Sequence, residues 1–187
     1  GLINMAASFN LFLFLLPFAF LVSLYYVSRV YFGDKVSIWS LIFGVLFLGS
    51  IKTYAYMGFG IHAIVYVGLF SGFLSMVLML FFFGFLQRLL VTNRPLYLFL
   101  GALMLAMIIM THAMSTIFAG IVFAIFTLCN FKKFWKNALL LFSLSLIFSS
   151  FWLIPFLKNL AFSSGDELGI GGMSVRDPLL AMFPLPG

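Results

Sequence analysis

Charged residues are scarce in this chain of 187 residues: they make up 7% of it, against 65% hydrophobic residues, and the mean hydropathy is +1.24. A soluble domain carries about a quarter charged residues. So few charges cannot cover a surface that faces water, which excludes a soluble globular protein. The composition instead predicts an integral membrane protein.

Other absences exclude particular functions. The single cysteine, Cys129, rules out an internal disulfide. CxxC, HExxH, GxSxG and P-loop motifs are all missing from the sequence. The apolar runs hold no Asp, Glu, Arg or Lys at their centres, which disfavours a proton- or ion-coupled transporter. The basic residues form no patch interleaved with aromatic residues, so we expect no nucleic acid as a partner.

The few charges divide the chain into apolar runs of suitable length to cross a bilayer, for which a helix needs about 20 residues. We predict an all-α, polytopic membrane protein with about six transmembrane helices. The predicted spans are 2–28, 36–51, 63–86, 95–110, 113–131 and 138–157. Residues 1–157 form the transmembrane region, and 158–187 form a Gly-rich extracytoplasmic loop that leads to a further membrane segment. Because the chain lacks an initiator Met and ends in a new apolar stretch, we expect a fragment of a larger protein.

The basic residues are distributed unequally between the two sides that six alternating spans define. One side receives Arg29, Lys35, Arg88, Arg94, Lys132, Lys133 and Lys136, and the other receives Lys52, Lys158 and Arg176. An excess of Lys and Arg in short loops marks the cytoplasmic side and allows contacts with anionic lipid head groups. We therefore predict that Gly1 lies outside, and that both histidines and most acids face the extracytoplasmic side.

A polar cluster interrupts a run of 37 residues, 95–131, that carries no charge. It lies in "MIIMTHAMSTIFAG" and consists of Thr111, His112, Ser115 and Thr116. A single helix of that length would measure about 55 Å, so the cluster marks a turn or a helix break near one membrane face. His112 either hydrogen-bonds a free backbone carbonyl at this helix end or donates to an anionic group. The positive end of the following helix would favour a phosphate at this cluster.

Other polar residues on the predicted outer side have two interpretations each. Lys52 is either an anchor at the membrane surface or a ligand contact, and Arg176 is a further candidate for binding the same negative charge. Asp166 and Glu167 belong either to a solvated loop or to a site for a divalent cation, which prefers oxygen ligands. The sequence leaves the cofactor unknown.

Four short segments give the chain a family resemblance. They are "YYVSRVYFGDK", "GFGIH", "MIIMTHAMSTIF" and "FSSFWLIPFL", the last followed by a Gly-rich loop. In this order they resemble bacterial and archaeal membrane proteins of the GT-C glycosyltransferase type, in particular the group called 6-pyruvoyl-tetrahydropterin synthase-related. That label does not imply pterin chemistry. The resemblance implies an integral protein of a prokaryotic plasma membrane.

The resemblance also implies a function. GT-C enzymes transfer a sugar from a polyprenyl-phosphate donor to an acceptor at the outer membrane face, with a catalytic carboxylate in the first long outer loop. That loop would lie upstream of Gly1, so no residue of this chain matches the catalytic acid. We expect Thr111, His112, Ser115 and Thr116 to receive the lipid phosphate. The alternative is a non-catalytic membrane subunit that packs in a larger membrane complex.

Overall fold

The computed structural model describes residues 4–49 and 70–163, and these form six helices and no strand. This confirms the all-α prediction. The helices are α1 (Met5–Phe32), α2 (Asp34–Gly49), α3 (Phe70–Thr92), α4 (Pro95–Thr111), α5 (Ala113–Cys129) and α6 (Phe131–Ser163). Three of them, α1, α3 and α6, are long and apolar enough to cross a membrane. The helices α4 and α5, of 17 residues each, measure about 25 Å.

Very short connections join neighbouring helices. Gly33 alone separates α1 from α2, and its φ of +84° is one that a residue without a Cβ adopts readily. Asn93 ends α3 with a φ of +52°, and Pro95 then begins α4 at a position where its missing N–H costs nothing. Single residues also separate α4 from α5 and α5 from α6, namely His112 and Asn130.

Helix α3 lies at the centre of the unit Gly1–Ser149, because it is buried on two opposite faces. Phe73 and Val77 pack with α1 and α2 in one apolar cluster. Leu78 and Phe82 pack in a second cluster with residues of α4, α5 and α6. At about 100° per residue these two pairs lie on opposite sides of the helix. The remaining unit, Ser150–Gly187, is described as far as 163, and there the rings of Trp152 and Phe156 stack.

Contacts at two levels along α3 establish the direction of its neighbour α1. Phe9 meets Phe70 with ring centroids 5.5 Å apart, and Tyr26 meets Phe85 at 5.4 Å. Later residues of α1 therefore meet later residues of α3, so the two helices run parallel. Side-chain contacts likewise show that α2 runs antiparallel to α1, because Phe47 meets Phe20 and Gly44 meets Leu24.

Helix α4 runs antiparallel to α3. Tyr97, near the start of α4, meets Phe85, and His112, just after its end, meets Gly72.

The same reasoning gives the direction of α5, and one contact places the start of α6. Ser115 bonds Ser75 at 2.7 Å, and the ring centroid of Phe123 lies 5.8 Å from that of Phe82, so α5 is parallel to α3. Asn137 donates to Asn93 at 2.7 Å, which places the start of α6 beside the turn between α3 and α4. The polar cluster around His112 therefore lies at one end of the unit. Seven basic residues lie at the other, the basic end: Arg29, Lys35, Arg88, Arg94, Lys132, Lys133 and Lys136.

The last helix differs from the prediction. The predicted spans leave residues 132–137 as a loop between two membrane helices, but α6 begins at Phe131 and includes the lysines of this segment. Phe134 is fully buried in the second apolar cluster and meets Phe126 at 5.3 Å, so packing holds this segment in the helix. The predicted span 138–157 lies inside α6, which continues to Ser163. The start of the predicted third span, 63–69, lies outside the described residues.

Candidate functional site

His112 forms the break between α4 and α5. Its backbone is extended, with φ −157° and ψ 115°, so the chain leaves one helix and enters the next at this single residue. The imidazole Nδ1 lies 3.3 Å from the backbone N of Ser115 and accepts its hydrogen bond, which caps α5. A side chain that caps a helix in this way satisfies one of the N–H groups that have no partner in the first turn. The prediction of a helix break is confirmed.

Hydrogen bonds extend from His112 to α3. The Ser115 hydroxyl lies 3.1 Å from His112 Nδ1 and 2.7 Å from the hydroxyl of Ser75, which is fully buried. Ser75 donates to the carbonyl of Gly72 at 2.7 Å. Ser75 uses its one hydroxyl hydrogen on Gly72, so the Ser115 hydroxyl donates to Ser75, and the link from Ser115 to His112 is the bond from its backbone N–H to Nδ1. The cluster thus joins the start of α5 to the central helix.

The two threonine hydroxyls are directed to backbone carbonyls. Thr111 donates to Met107 at 2.9 Å within its own helix. Thr116 reaches across the break to Ile108, at 3.2 Å, and also lies 3.1 Å from the carbonyl of His112. These bonds fix the angle between α4 and α5, and they engage both hydroxyl hydrogens that we expected to donate to a ligand. A ligand could still use the hydroxyl oxygens as acceptors.

Three donors at this break have no partner among the described residues. One is His112 Nε2: when Nδ1 accepts the capping bond, a neutral imidazole carries its hydrogen on Nε2. The others are the backbone N–H groups of Ala113 and Met114, which begin α5 and belong to exposed residues. The side chain of His112 is itself half-exposed. Donors at a helix N-terminus suit a phosphate or carboxylate group.

The break between α4 and α5 lies far from the basic end of the helices. Ser75 precedes Arg88 on α3 by 13 residues, or about 20 Å along the helix axis. The ring of His112 lies beside α3 at Gly72, where a Cβ atom would lie 3.9 Å from Nε2. Since the hydrocarbon layer is about 30 Å thick, the donors lie within the bilayer or near its surface, at the end remote from the basic residues.

The structure brings together only some of the predicted site residues. Thr111, His112, Ser115 and Thr116 lie within one short segment. Lys52, Arg176, Asp166 and Glu167 lie outside the described residues. The described residues contain no group of three or more His, Cys, Asp or Glu side chains that could hold a metal.

Sequence reasoning missed Ser75 as a member of the cluster. Its segment, "SGFLSM", lies inside the predicted span 63–86 and carries no charged residue. A usable signal was the pair Gly72 and Ser75, because a small residue and a hydroxyl on one helix allow a close neighbour to form a hydrogen bond. The pairing with Ser115, 40 residues later, depends on the parallel arrangement of α3 and α5 and is not visible in the sequence.

Apart from the polar cluster, the described residues form an apolar groove of about 520 Å³ between α1, α2 and α3. It is lined by Phe20, Leu24, Phe43, Gly44, Leu46, Phe47, Met76 and Leu80. Met76 and Leu80 lie about 100° and 140° around α3 from Ser75. The groove is therefore on a different side of the central helix from His112, and it offers hydrocarbon contacts without a polar group to orient a ligand.

The described residues form six helices, of which the first five alternate in direction, with basic residues at one end, and these features define a polytopic helical membrane protein. The comparisons with known proteins place it further. A family model described as "6-pyruvoyl-tetrahydropterin synthase related domain; membrane protein" matches residues 1–166, and the chain belongs to this family. No curated protein and no solved structure matches the chain. The match gives a membrane location and no reaction, so the GT-C resemblance stays a prediction.

Proposed function

We propose that this chain is the membrane core of a GT-C-like glycosyltransferase that uses a polyprenyl-phosphate-linked sugar donor at the extracytoplasmic face. The observation that carries the proposal is the position of His112 Nε2, which carries the ring hydrogen when Nδ1 caps α5, next to the uncapped N–H groups of Ala113 and Met114. These donors lie at the end opposite the basic residues. The positive-inside rule assigns the basic end to the cytoplasm and therefore assigns these donors to the outside. A lipid phosphate held by the bilayer would meet them at this depth.

The proposed role of these donors is to stabilise the leaving group. In the transfer, the acceptor oxygen bonds to the anomeric carbon of the sugar and the bond between that carbon and the phosphate oxygen breaks. The phosphate leaves with the bonding electron pair, so negative charge develops on it, and donors already in place stabilise that charge. His112 Nε2–H would bind a phosphate oxygen directly.

The acceptor must also lose a proton during the transfer. A general base has to lie within hydrogen-bond reach of the acceptor hydroxyl. The resemblance assigns this task to a carboxylate in an outer loop, which we expect upstream of Gly1. No described residue is assigned to it. Lys52, Arg176 and a divalent cation near Asp166 and Glu167 remain candidates for additional charge stabilisation.

Two substitutions at one position separate the capping role of His112 from the proposed donor role. His112→Asn keeps a side chain that caps helices well but removes the Nε2 donor, whereas His112→Ala removes both. We expect the full-length His112→Asn protein to fold normally and to transfer sugar about 100-fold more slowly, the usual loss for one donor to a developing oxyanion. Ser40→Ala is a control, because Ser40 is partly exposed on α2 and donates only within its own helix. Wild-type turnover by the folded His112→Asn protein would remove His112 from the mechanism.

A non-catalytic subunit of a larger membrane complex is the second candidate function. It is favoured by the hydrogen bonding inside the polar cluster, because the hydroxyls of Thr111, Ser115 and Thr116 all have protein partners. Under this second function, the cluster binds no ligand, and its role is to fix the break and to join α5 to α3. The complete reading frame discriminates: an upstream outer loop with one or two carboxylates near a membrane helix favours the enzyme. Recovery of the full-length protein in a stable complex with other membrane proteins would favour the subunit.

A further inference from the structure

The basic end collects positive charge from helices that are distant in sequence. It is formed where α1, α3 and α5 end and where α2, α4 and α6 begin. Asp34 is the acidic residue in this region, and it forms an ion pair with Arg29 at 2.7 Å in which both side chains are exposed. Among the described residues no other ion pair forms, so Arg88, Arg94 and the three lysines of α6 have no carboxylate partner.

Arg88 differs from the other basic residues in its surroundings. It lies near the end of α3, the central helix, and is only half-exposed. Two tyrosines from neighbouring helices lie beside this part of α3, because the rings of Tyr26 on α1 and Tyr97 on α4 both pack against Phe85, with centroids 5.4 Å and 6.3 Å away. The Tyr26 hydroxyl is near enough to the Arg88 guanidinium for the two groups to interact electrostatically. A guanidinium group thus lies where three helices meet, beside two tyrosines.

A hydrogen bond joins α6 to the turn between α3 and α4 at the basic end. Asn137 on α6 donates to Asn93, the residue that follows α3, at 2.7 Å. Arg94 and Lys136 are the sequence neighbours of these two residues, so the bond holds their backbones close together. Lys136 also lies over the ring of Trp135, at 5.5 Å from its centroid, which limits the positions of its amino group.

This concentration of charge is unfavourable without an anion. Like charges repel each other, and the lysines of the first turns of α6 lie at the positive end of that helix, where anions are the stabilising charges. A membrane surface supplies anions as lipid head groups, and basic pockets between membrane helices bind such groups. Arg matches a phosphate with two parallel N–H donors, and tyrosine hydroxyls add neutral donors.

We propose that Arg88, Tyr26 and Tyr97, together with Arg94 and Lys136, form a site for the phosphate group of an anionic phospholipid. The ligand is a lipid of the surrounding leaflet: its phosphate binds Arg88 at the head-group level, and its acyl chains lie along the apolar surface of the helices. The site lies about 20 Å along α3 from the His112 cluster, so it does not depend on the glycosyltransferase proposal.

The test uses the whole chain in nanodiscs of phosphatidylcholine that contain an increasing fraction of phosphatidylglycerol. Native mass spectrometry measures how many phosphatidylglycerol molecules the released protein retains. We expect the wild-type protein to retain phosphatidylglycerol in preference to phosphatidylcholine, and Arg88→Gln to weaken the retention about tenfold, as for the loss of a charge-assisted hydrogen bond. The matched control is Arg29→Gln, which removes the same charge from the same end but from an exposed ion pair, and it should change retention less than about twofold.

A second variant keeps the test decisive if Arg88→Gln does not fold. Tyr26→Phe preserves the ring that packs against Phe85 and removes only the hydroxyl, so it should retain the wild-type melting temperature and bind phosphatidylglycerol about threefold less tightly. Equal retention of the two lipids by the wild type, or equal effects of the Arg88 and Arg29 substitutions, would overturn the proposal. Inorganic phosphate that displaces the lipid at millimolar concentration would also overturn it, because the site would then be one for free anions.

Discussion

Replacement of Gly84 by alanine tests the close approach of α1 to the central helix. A Cβ atom at this position would lie 2.5 Å from Cε1 and 2.8 Å from Cδ1 of the Tyr26 ring. Real Cβ atoms do not come so near to ring carbons, so the ring or one of the helices must move. The ring cannot turn away freely, because Phe81 and Phe85 pack against it.

The size of the effect follows from this crowding. Extra methyl groups in a packed core cost about 1–3 kcal/mol, and a glycine-to-alanine change inside a helix returns about 1 kcal/mol of helix propensity. For Gly84→Ala we expect a net loss of up to about 2 kcal/mol. For a domain of this size that corresponds to a decrease in melting temperature of up to about 8 °C.

The measurement is thermal unfolding of the purified protein in detergent, followed by circular dichroism. Gly120→Ala is the matched control, because Gly120 lies in α5 and a Cβ there would have no neighbour within 4 Å. It should be neutral or slightly stabilising. A melting temperature for Gly84→Ala equal to that of the control would refute the packing of Tyr26 against α3, and with it the parallel arrangement of these two helices near the basic end.

Three further predictions concern single residues. Ser75→Ala removes the bond to Ser115 and should lower the free energy of unfolding by about 0.6 kcal/mol, the average for hydrogen bonds between membrane helices; an unchanged value in chemical unfolding would mean that this bond contributes nothing. Asn93→Gly loses the bond to Asn137 but keeps a residue suited to a φ of +52°, so Asn93→Ala should be less stable than Asn93→Gly by about 1 kcal/mol in the same measurement. Cys129 is exposed at the basic end, so a membrane-impermeant maleimide should label it in inverted vesicles and not in intact cells; labelling in intact cells would place the His112 cluster on the cytoplasmic side.

The sequence predicted the six helices of the described residues well, because length and hydropathy determine them, and three of these helices are long enough to cross a membrane. The break at His112 was predictable too, since 37 uncharged residues cannot cross a bilayer once as a single helix. The start of α6 was not predictable by the same rule. Lysines suggested a loop, but Phe134 is buried among other helices, and tertiary packing overrides the local preference.

The candidate site was only partly predictable. The residue types that bind phosphate are visible at Thr111–Thr116, yet their hydrogen-bond partners depend on geometry. That the two threonines donate to backbone carbonyls, and that Ser115 meets Ser75, follow from the angle at the break and from the parallel packing of α5 on α3. The phosphate-binding role that we propose for Arg88 could not be predicted from the sequence either, since Tyr26 and Tyr97 come from two other helices.

The serines of this protein have a bearing on its biosynthesis. Several donate to a carbonyl three or four residues earlier in their own helix: Ser23, Ser37, Ser40, Ser75, Ser145 and Ser149. A hydroxyl paired in this way has no unmet donor when a newly made helix leaves the translocon and enters lipid alone. Helix α3 can therefore reside in the bilayer before α5 has been synthesised. The Ser115–Ser75 bond then forms as a late step of assembly, when the ribosome has released enough chain for α5 to arrive.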